Sequence, residues 1–200
     1  MPREYEQVEV ESPEQWRGWL AEHHDSAPGA WLVTFKKQAA SQRHVPYADV
    51  VEEALCFGWV DSLGRTLDEH RSQLLMTPRK PASNCSRPNK QRIERLTAAG
   101  LMAPAGLAAV EAAKASGTWT ALDAVEDLIE PADLRAALDA DAGARREWDA
   151  FPRSVKRGIL EWILNAKRPE TRARRVTETA ESAAQGIRAN QWRQPKRAAG

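Results

Sequence analysis

The sequence predicts an α+β fold, in which a small, mainly antiparallel three-stranded sheet packs with helices and is followed by a C-terminal helical bundle. Apolar residues make up 42% of the 200 residues, which is enough to bury a core. Strand-like segments occur before residue 80, whereas the periodic segments after Pro131 have helical spacing. Because the composition changes near Gly117, we expect two domains, at residues 1–117 and 118–200.

Local signals delimit the elements of the first domain. Ser12 followed by Pro13 is typical of a helix start. Gly58 stands where a helix would end in a left-handed residue, and Pro78 cannot continue a strand ladder. The predicted elements are a helix from Pro13 to about His24, a strand at 30–36, a helix at 47–57, strands at 59–67 and 72–77, and helices at 88–99 and 104–116.

The second domain is predicted to contain helices only. Val155, Ile159 and Ile163 recur at helical spacing and indicate one buried face. Residues 119–128 are predicted to be irregular. The predicted helices span 131–140, 141–151, 152–167 and 169–184, and a polar, basic tail from Gly186 is expected to dock through Trp192.

The net charge of +1 conceals an acidic segment at 123–141 and a basic segment at 153–175. One interpretation is that the two segments attract each other. The other is an anion-binding face formed by Lys167, Arg168, Arg172 and Arg175. A chain near neutrality lacks the strong positive field typical of nucleic-acid binders, so the composition does not favour a nucleic-acid partner.

Several classes of protein are not favoured by the sequence. No apolar stretch reaches the roughly 18 residues of a membrane span, and the first residues are acidic, unlike a secretory signal. Two cysteines suggest reduced thiols in the cytoplasm. Cys56, Cys85, His44 and His70 are scattered, so we expect no metal. The absence of a strand, glycine-rich loop and helix in succession predicts no nucleotide cofactor.

The strongest candidate site follows the helix that ends at Gly58. Asp61 is expected on one strand and Arg79 just after the end of the neighbouring strand, and the next helix could hold an anion at its start. The functional interpretation is a polar pocket, and the alternative is an Asp61–Arg79 ion pair beside a capped helix. Cys56, in the last turn of a helix, is expected to be a buried apolar residue. The full candidate set is Cys56, Trp59, Asp61, Arg79, Ser83, Ser86 and Asn89.

The segment from Tyr47 to Asp61, YADVVEEALCFGWVD, resembles the central signature of the YdeI/OmpD-associated family of bacteriocin-protection proteins. TPRKP at 77–81, with Ser83, Ser86 and Asn89, is similar to its second block. AKRPETRARR at 166–175 and RANQW at 188–192 are similar to its C-terminal region. Where the family usually has tryptophan, this sequence has Cys85, which would alter an aromatic pocket wall.

The resemblance implies a protein linked to stress or antimicrobial resistance, and the two cysteines favour the cytoplasm. We expect it to bind a small or peptidic ligand, or a protein partner, without catalysis and without membrane insertion. One alternative is an enzyme that uses Asp61 as acid or base and Arg79 to orient an anionic substrate. The other alternative is nucleic-acid or anion binding through the basic segment at 153–175.

Overall fold

The computed structural model describes residues 5–192 and residue 194, and the chain divides into two compact units, Met1–Ala121 and Leu122–Gly200. The predicted domain boundary, after residue 117, lies a few residues earlier, and the assignment of two domains stays a prediction. The inferences drawn from the acidic first residues and the end of the basic tail fall on residues 1–4, 193 and 195–200, outside the described residues. Trp192 itself is described, and the expectation that the tail docks through it was wrong, because this residue is 97% exposed.

The first unit contains four strands and four helices among its described residues. These are β1 (Glu6–Glu9), α1 (Pro13–His23), β2 (Ala30–Phe35), α2 (Tyr47–Cys56), β3 (Trp59–Thr66), β4 (Arg71–Pro78), α3 (Arg87–Ala98) and α4 (Pro104–Ala115). The α+β class is confirmed. The predicted helix start also holds, because Ser12 accepts a hydrogen bond from the backbone N–H of Gln15.

The sheet has four strands in the order β1-β2-β4-β3, so the predicted number of three was wrong. β1 was missed because it has only four residues, of which Val8 alone is buried. It pairs in parallel with β2, which makes the sheet mixed, whereas β4 pairs antiparallel with both β2 and β3. The ladder between β3 and β4 contains a bulge between Asp61 and Gly64.

The two faces of the sheet differ in what covers them. Ala30 and Leu32 of β2 belong to the core that includes residues of α1 and α2, so we call this side the helix face. Trp31 and Phe35 alternate with them and lie on the second face. There, Arg65 stacks over the Trp31 ring at 4.0 Å, and another arginine, Arg43, covers Phe35 at 3.8 Å. Guanidinium groups therefore shield aromatic surface on the second face.

Three tryptophans join α1 to the start of β3 in the core of this unit. Trp16 and Trp59 are almost fully buried and meet edge to face with ring centroids 6.4 Å apart. Trp19 stacks on Trp16 at 5.3 Å. The indole N–H of Trp59 donates to the backbone oxygen of His24 at 3.0 Å, so the polar end of a buried ring is satisfied.

Helix α4 approaches the end of α2 at backbone distance. Gly58 has φ +75°, which confirms the predicted left-handed residue after α2. The backbone N–H of Ala103 donates to the oxygen of Cys56 at 3.0 Å, and Gly106 faces the same carbonyl group. A side chain at Gly106 would have no space, so the glycine permits this contact.

The second unit is helical in its described residues. Its helices are α5 (Asp123–Glu126), α6 (Ala132–Asp139), α7 (Ala142–Ala150), α8 (Arg153–Leu164) and α9 (Pro169–Ala184). The short α5 lies in the segment predicted to be irregular. The core contains the predicted apolar face of α8, with Val155, Ile159 and Ile163 buried.

Ion pairs confirm that the acidic and basic segments of this unit attract each other. Glu126 pairs with Arg157 at 3.0 Å, and Asp133 pairs with Arg172 at 2.7 Å. None of the helices formed by residues 5–192 combines the length and apolar character that a membrane crossing requires.

Candidate ligand cleft

The structure separates Asp61 from Arg79. The Oδ2 atom of Asp61 accepts a hydrogen bond from the Tyr47 hydroxyl at 2.8 Å. Arg79 instead donates to the backbone oxygen of Ser83 at 2.8 Å and contacts the Cys85 sulfur at 3.3 Å. The predicted Asp61–Arg79 ion pair is therefore replaced by two separate sets of contacts. The reason is register: Asp61 pairs with Met76, three residues before Arg79.

The other predicted site residues are mostly occupied by structural contacts. Cys56 is buried, and the side-chain Oδ1 of Asn89 accepts a hydrogen bond from Arg92 at 3.1 Å. Ser86 stands at the start of α3 as predicted, but its side chain makes no capping hydrogen bond. Trp59 and Arg79 border a cavity of only about 10 Å³, which has room for about one water molecule.

Asp61 and Ser83 both border one hollow, on the second face of the sheet. The Asp61 carboxylate itself is directed to the helix face, where it is bonded to Tyr47 and lies opposite Met76. This second hollow has a volume of about 650 Å³. It is also lined by Val60 and Ser62 of β3, by Thr77 of β4 and by Lys80, whose side chain is exposed. Ligand binding by the predicted set stays a prediction.

A different cleft, of about 420 Å³, lies on the helix face between the start of α2 and the far end of the sheet. We call it the α2 cleft. Its apolar lining comes from Leu32, Leu74, Val45 and Val50. The remaining lining residues are Thr34, His44, Tyr47, Gly64, Arg65, Thr66, Ser72 and Gln73.

Small residues at facing positions explain why the α2 cleft is hollow. Thr34 pairs with Ser72, which also pairs with Thr66, and Gly64 pairs with Leu74. Because residues directly opposite each other share a face, these small side chains lie together and leave space between the sheet and the start of α2. Toward the other end of the sheet, large side chains such as Trp59 and Met76 fill the same layer.

The polar groups of the α2 cleft can donate and accept hydrogen bonds. His44 Nδ1 lies 2.7 Å from the backbone oxygen of Phe35, so Nδ1 carries the proton. Thr34 Oγ1 and Ser72 Oγ are 3.5 Å apart. Burial raises the pKa of the Tyr47 hydroxyl, and its bond to Asp61 raises it further, so this group stays a neutral donor. In the described part of the chain, no three His, Cys, Asp or Glu side chains converge as metal ligands would.

The α2 cleft has no signature in the sequence, because its members are ordinary residues at distant positions. The position of Tyr47 predicts only the start of a helix. Thr34 and Ser72 carry no motif, and only their pairing in the sheet brings them together. The available signal was one small polar residue on each of two predicted strands, Thr34 and Ser72, and its meaning depends on the register between the strands.

The four cations predicted to bind anions do not form one open site. Arg172 forms a bidentate pair with Asp133, at 2.7 and 2.9 Å. Arg175 lies over the Trp162 ring at 4.9 Å and donates to the backbone oxygen of the same residue. Lys167 and Arg168 are exposed just before α9 begins. Two of the four cations, Arg172 and Arg175, therefore already have protein partners. Anion binding by the set stays a prediction.

Two family models match this chain in different regions. Residues 8–109, half of the chain, match the model described as "Domain of unknown function (DUF8412)". Residues 127–186 match the model described as "Bacteriocin-protection, YdeI or OmpD-Associated". The first match contains the segment from Tyr47 to Asp61, and the second contains the block at 166–175. Neither a curated protein nor a solved structure gives a significant match. The chain therefore belongs to the DUF8412 domain family, and its second unit carries a region of the Bacteriocin-protection, YdeI or OmpD-Associated family.

Proposed function

We propose that this protein has a bacteriocin-protection-like role in the cytoplasm and acts by binding a ligand in the α2 cleft, without catalysis. The single observation that carries the proposal is the cleft itself, a hollow of about 420 Å³ with an apolar lining and a few polar groups. This combination of size and lining is typical of small-molecule and side-chain binding sites. The family match of residues 127–186 supports the protective role.

The ligand best suited to the α2 cleft has an apolar body and one or two hydrogen-bonding groups. Leu32, Leu74 and Val50 offer contact to the apolar part, whereas Thr34 and Ser72 offer hydroxyl groups to the polar part. A small molecule or an apolar peptide side chain meets this description. The contacts of Asp61 and Arg79 supply no reason to favour catalysis, because each group has a different protein partner.

A thermal-shift screen of the full chain tests the proposal. The panel contains amphipathic small molecules and capped apolar dipeptides. A compound present at 100 times its Kd stabilises the folded state by about 2.7 kcal/mol. For a chain of this size, each kcal/mol raises the Tm by about 2–4 °C, so we expect an increase of about 5–10 °C.

Two matched variants locate the site. Ser72→Phe fills the α2 cleft, and Thr77→Phe adds the same bulk to the same strand but in the second hollow. We expect Ser72→Phe to abolish the shift and Thr77→Phe to retain it. Thr66→Phe, at an exposed position of the same cleft, replaces Ser72→Phe if that variant does not fold. A panel without hits, or hits that survive a folded cleft-filling variant, would disprove the proposal.

A further inference from the structure

Strand β3 is an edge of the sheet, and its outer side is accessible. Among the described residues it pairs with β4 alone, and its residues from Ser62 to Thr66 are exposed. An edge strand presents backbone N–H and C=O groups that can pair with another extended chain. The bulge near Ser62 bends this edge but leaves regular ladder residues on both sides, at Trp59–Asp61 and at Gly64–Thr66.

The two large hollows of this unit both border β3, on opposite faces of the sheet. The α2 cleft touches Gly64, Arg65 and Thr66 and lies on the helix face. The second hollow touches Val60, Asp61 and Ser62 and lies on the second face. Successive side chains of a strand point to opposite faces. A chain laid along β3 would therefore direct its side chains into both hollows.

We propose that the ligand of the α2 cleft is an extended peptide that pairs with the free edge of β3, with an apolar side chain in the α2 cleft and an acidic side chain in the second hollow. This inference deepens the proposed function and rests on it. Main-chain pairing supplies general affinity in this mode of recognition, and the hollows for alternate side chains supply selectivity.

Charge and hydroxyl groups around β3 account for the acidic side chain. Lys80 is an exposed cation of the second hollow, and Arg65 lies over Trp31 on the same face of the sheet. Asp61 contributes the single carboxylate among the lining residues, and its side chain is on the helix face. That carboxylate already accepts the hydrogen bond of Tyr47. Ser62, Thr77 and Ser83 add hydroxyl groups to the second hollow. A carboxylate there would meet Lys80 and several donors.

The position of the hollows along β3 sets the spacing of the two peptide side chains. The stretches that touch the hollows are centred on Asp61 and Arg65. Side chains on opposite faces must be an odd number of residues apart. Because the bulge adds a residue to β3 without adding length, the distance is shorter than four regular residues. A spacing of three residues therefore fits.

The test uses two capped peptides of eight residues, which are threonine except at positions three and six. One peptide has leucine at position three and glutamate at position six, and the other has these two residues exchanged. Together they cover both strand directions. Each is titrated into the nitrogen-15-labelled full chain. We expect one of them to bind and to shift the amide signals of residues 59–66. The control is the better peptide with alternate backbone nitrogens methylated, which cannot pair along a strand, and we expect at least tenfold weaker binding.

The variants separate this inference from the proposed function. Ser72→Phe and Thr77→Phe should each weaken the peptide at least tenfold, because each fills one hollow. Thr66→Phe serves as the alternative to Ser72→Phe if folding is impaired. Should neither peptide bind, or should the methylated peptide bind equally well, the peptide inference is wrong. If the thermal-shift panel then still gave small-molecule hits that Ser72→Phe abolishes and Thr77→Phe retains, the proposed function would stand without the peptide inference. If a folded Ser72→Phe variant bound every small molecule and peptide that the original chain binds, both the proposed function and the peptide inference would be refuted.

Discussion

Replacing Gly106 with alanine tests the close contact between α4 and the end of α2. A Cβ atom at this position would lie 2.1 Å from the backbone oxygen of Cys56 and 2.7 Å from its carbonyl carbon. Contacts below 3.0 Å require a shift, and here the nearest atoms belong to backbone rather than to a flexible side chain. Relief would therefore require α4 to move by about 1 Å from α2.

Two opposing effects set the magnitude. Alanine in a helix is favoured over glycine by about 1 kcal/mol. Overpacking of a well-packed contact costs about 1–3 kcal/mol, and more where backbone must move. Movement of α4 would also lengthen the hydrogen bond from Ala103 to Cys56, now 3.0 Å. We therefore expect Gly106→Ala to lower the free energy of unfolding by about 2 kcal/mol.

Gly18→Ala is the matched control. Gly18 also lies inside a helix, α1, but a Cβ atom there meets nothing within 4 Å. The same substitution should therefore raise the free energy of unfolding by about 0.5–1 kcal/mol. Urea unfolding, followed by circular dichroism and tryptophan fluorescence, measures both variants against the original chain. If Gly106→Ala were as stable as Gly18→Ala, the backbone contact could not be as close as the structure has it.

Two further predictions concern ionisable groups. A hydrogen bond from Arg145 holds the pKa of Glu130 below its ordinary value in the folded protein. The Glu130–Arg145 pair therefore stabilises the fold at pH values above the pKa of Glu130 in the unfolded chain. This stabilisation is lost as the pH falls through the lower pKa of the folded protein. Glu130→Gln should lower the free energy of unfolding by about 1–2 kcal/mol at pH 7. Below about pH 5, the free energy of unfolding of this variant should fall less steeply with decreasing pH than that of the original chain. Equal slopes of this free energy against pH, measured by urea unfolding, would contradict the prediction. Cys56 and Cys85 are buried, and burial raises the pKa of the Cys56 thiol. Ellman's reagent should therefore label the native protein slowly and the urea-unfolded protein at once, whereas immediate native labelling would contradict the burial.

The helices of this chain were largely predictable because their boundaries depend on local chemistry. Ser12 caps α1, and Gly58 takes the left-handed conformation after α2, as their residue types predict. β1 was not predictable in the same way. Its four residues gain their strand character from pairing with β2, and a single buried valine, Val8, gives no alternating pattern.

The candidate site was less predictable, because it depends on register. The sequence correctly indicated that the strand bearing Asp61 and the strand that ends just before Arg79 are neighbours. It did not indicate that Asp61 pairs with Met76, three residues before Arg79. An offset of three residues, about 10 Å of extended chain, also places the two side chains on opposite faces of the sheet, so they do not meet. Arg79 then turns to Cys85, the position where the sequence departs from the pattern of the family it resembles.

The bulge in β3 links the shape of the α2 cleft to the accessible edge. A regular ladder continuing from the Asp61–Met76 pair would place Leu63 opposite Leu74, on the helix face, where its side chain would occupy the cleft. The extra residue instead brings Gly64 opposite Leu74 and leaves Leu63 54% exposed. One inserted residue thus exchanges a leucine for a glycine in the cleft lining. The same bulge shortens the distance between the two hollows, so the volume of the cleft and the spacing expected of a bound peptide have a common structural cause.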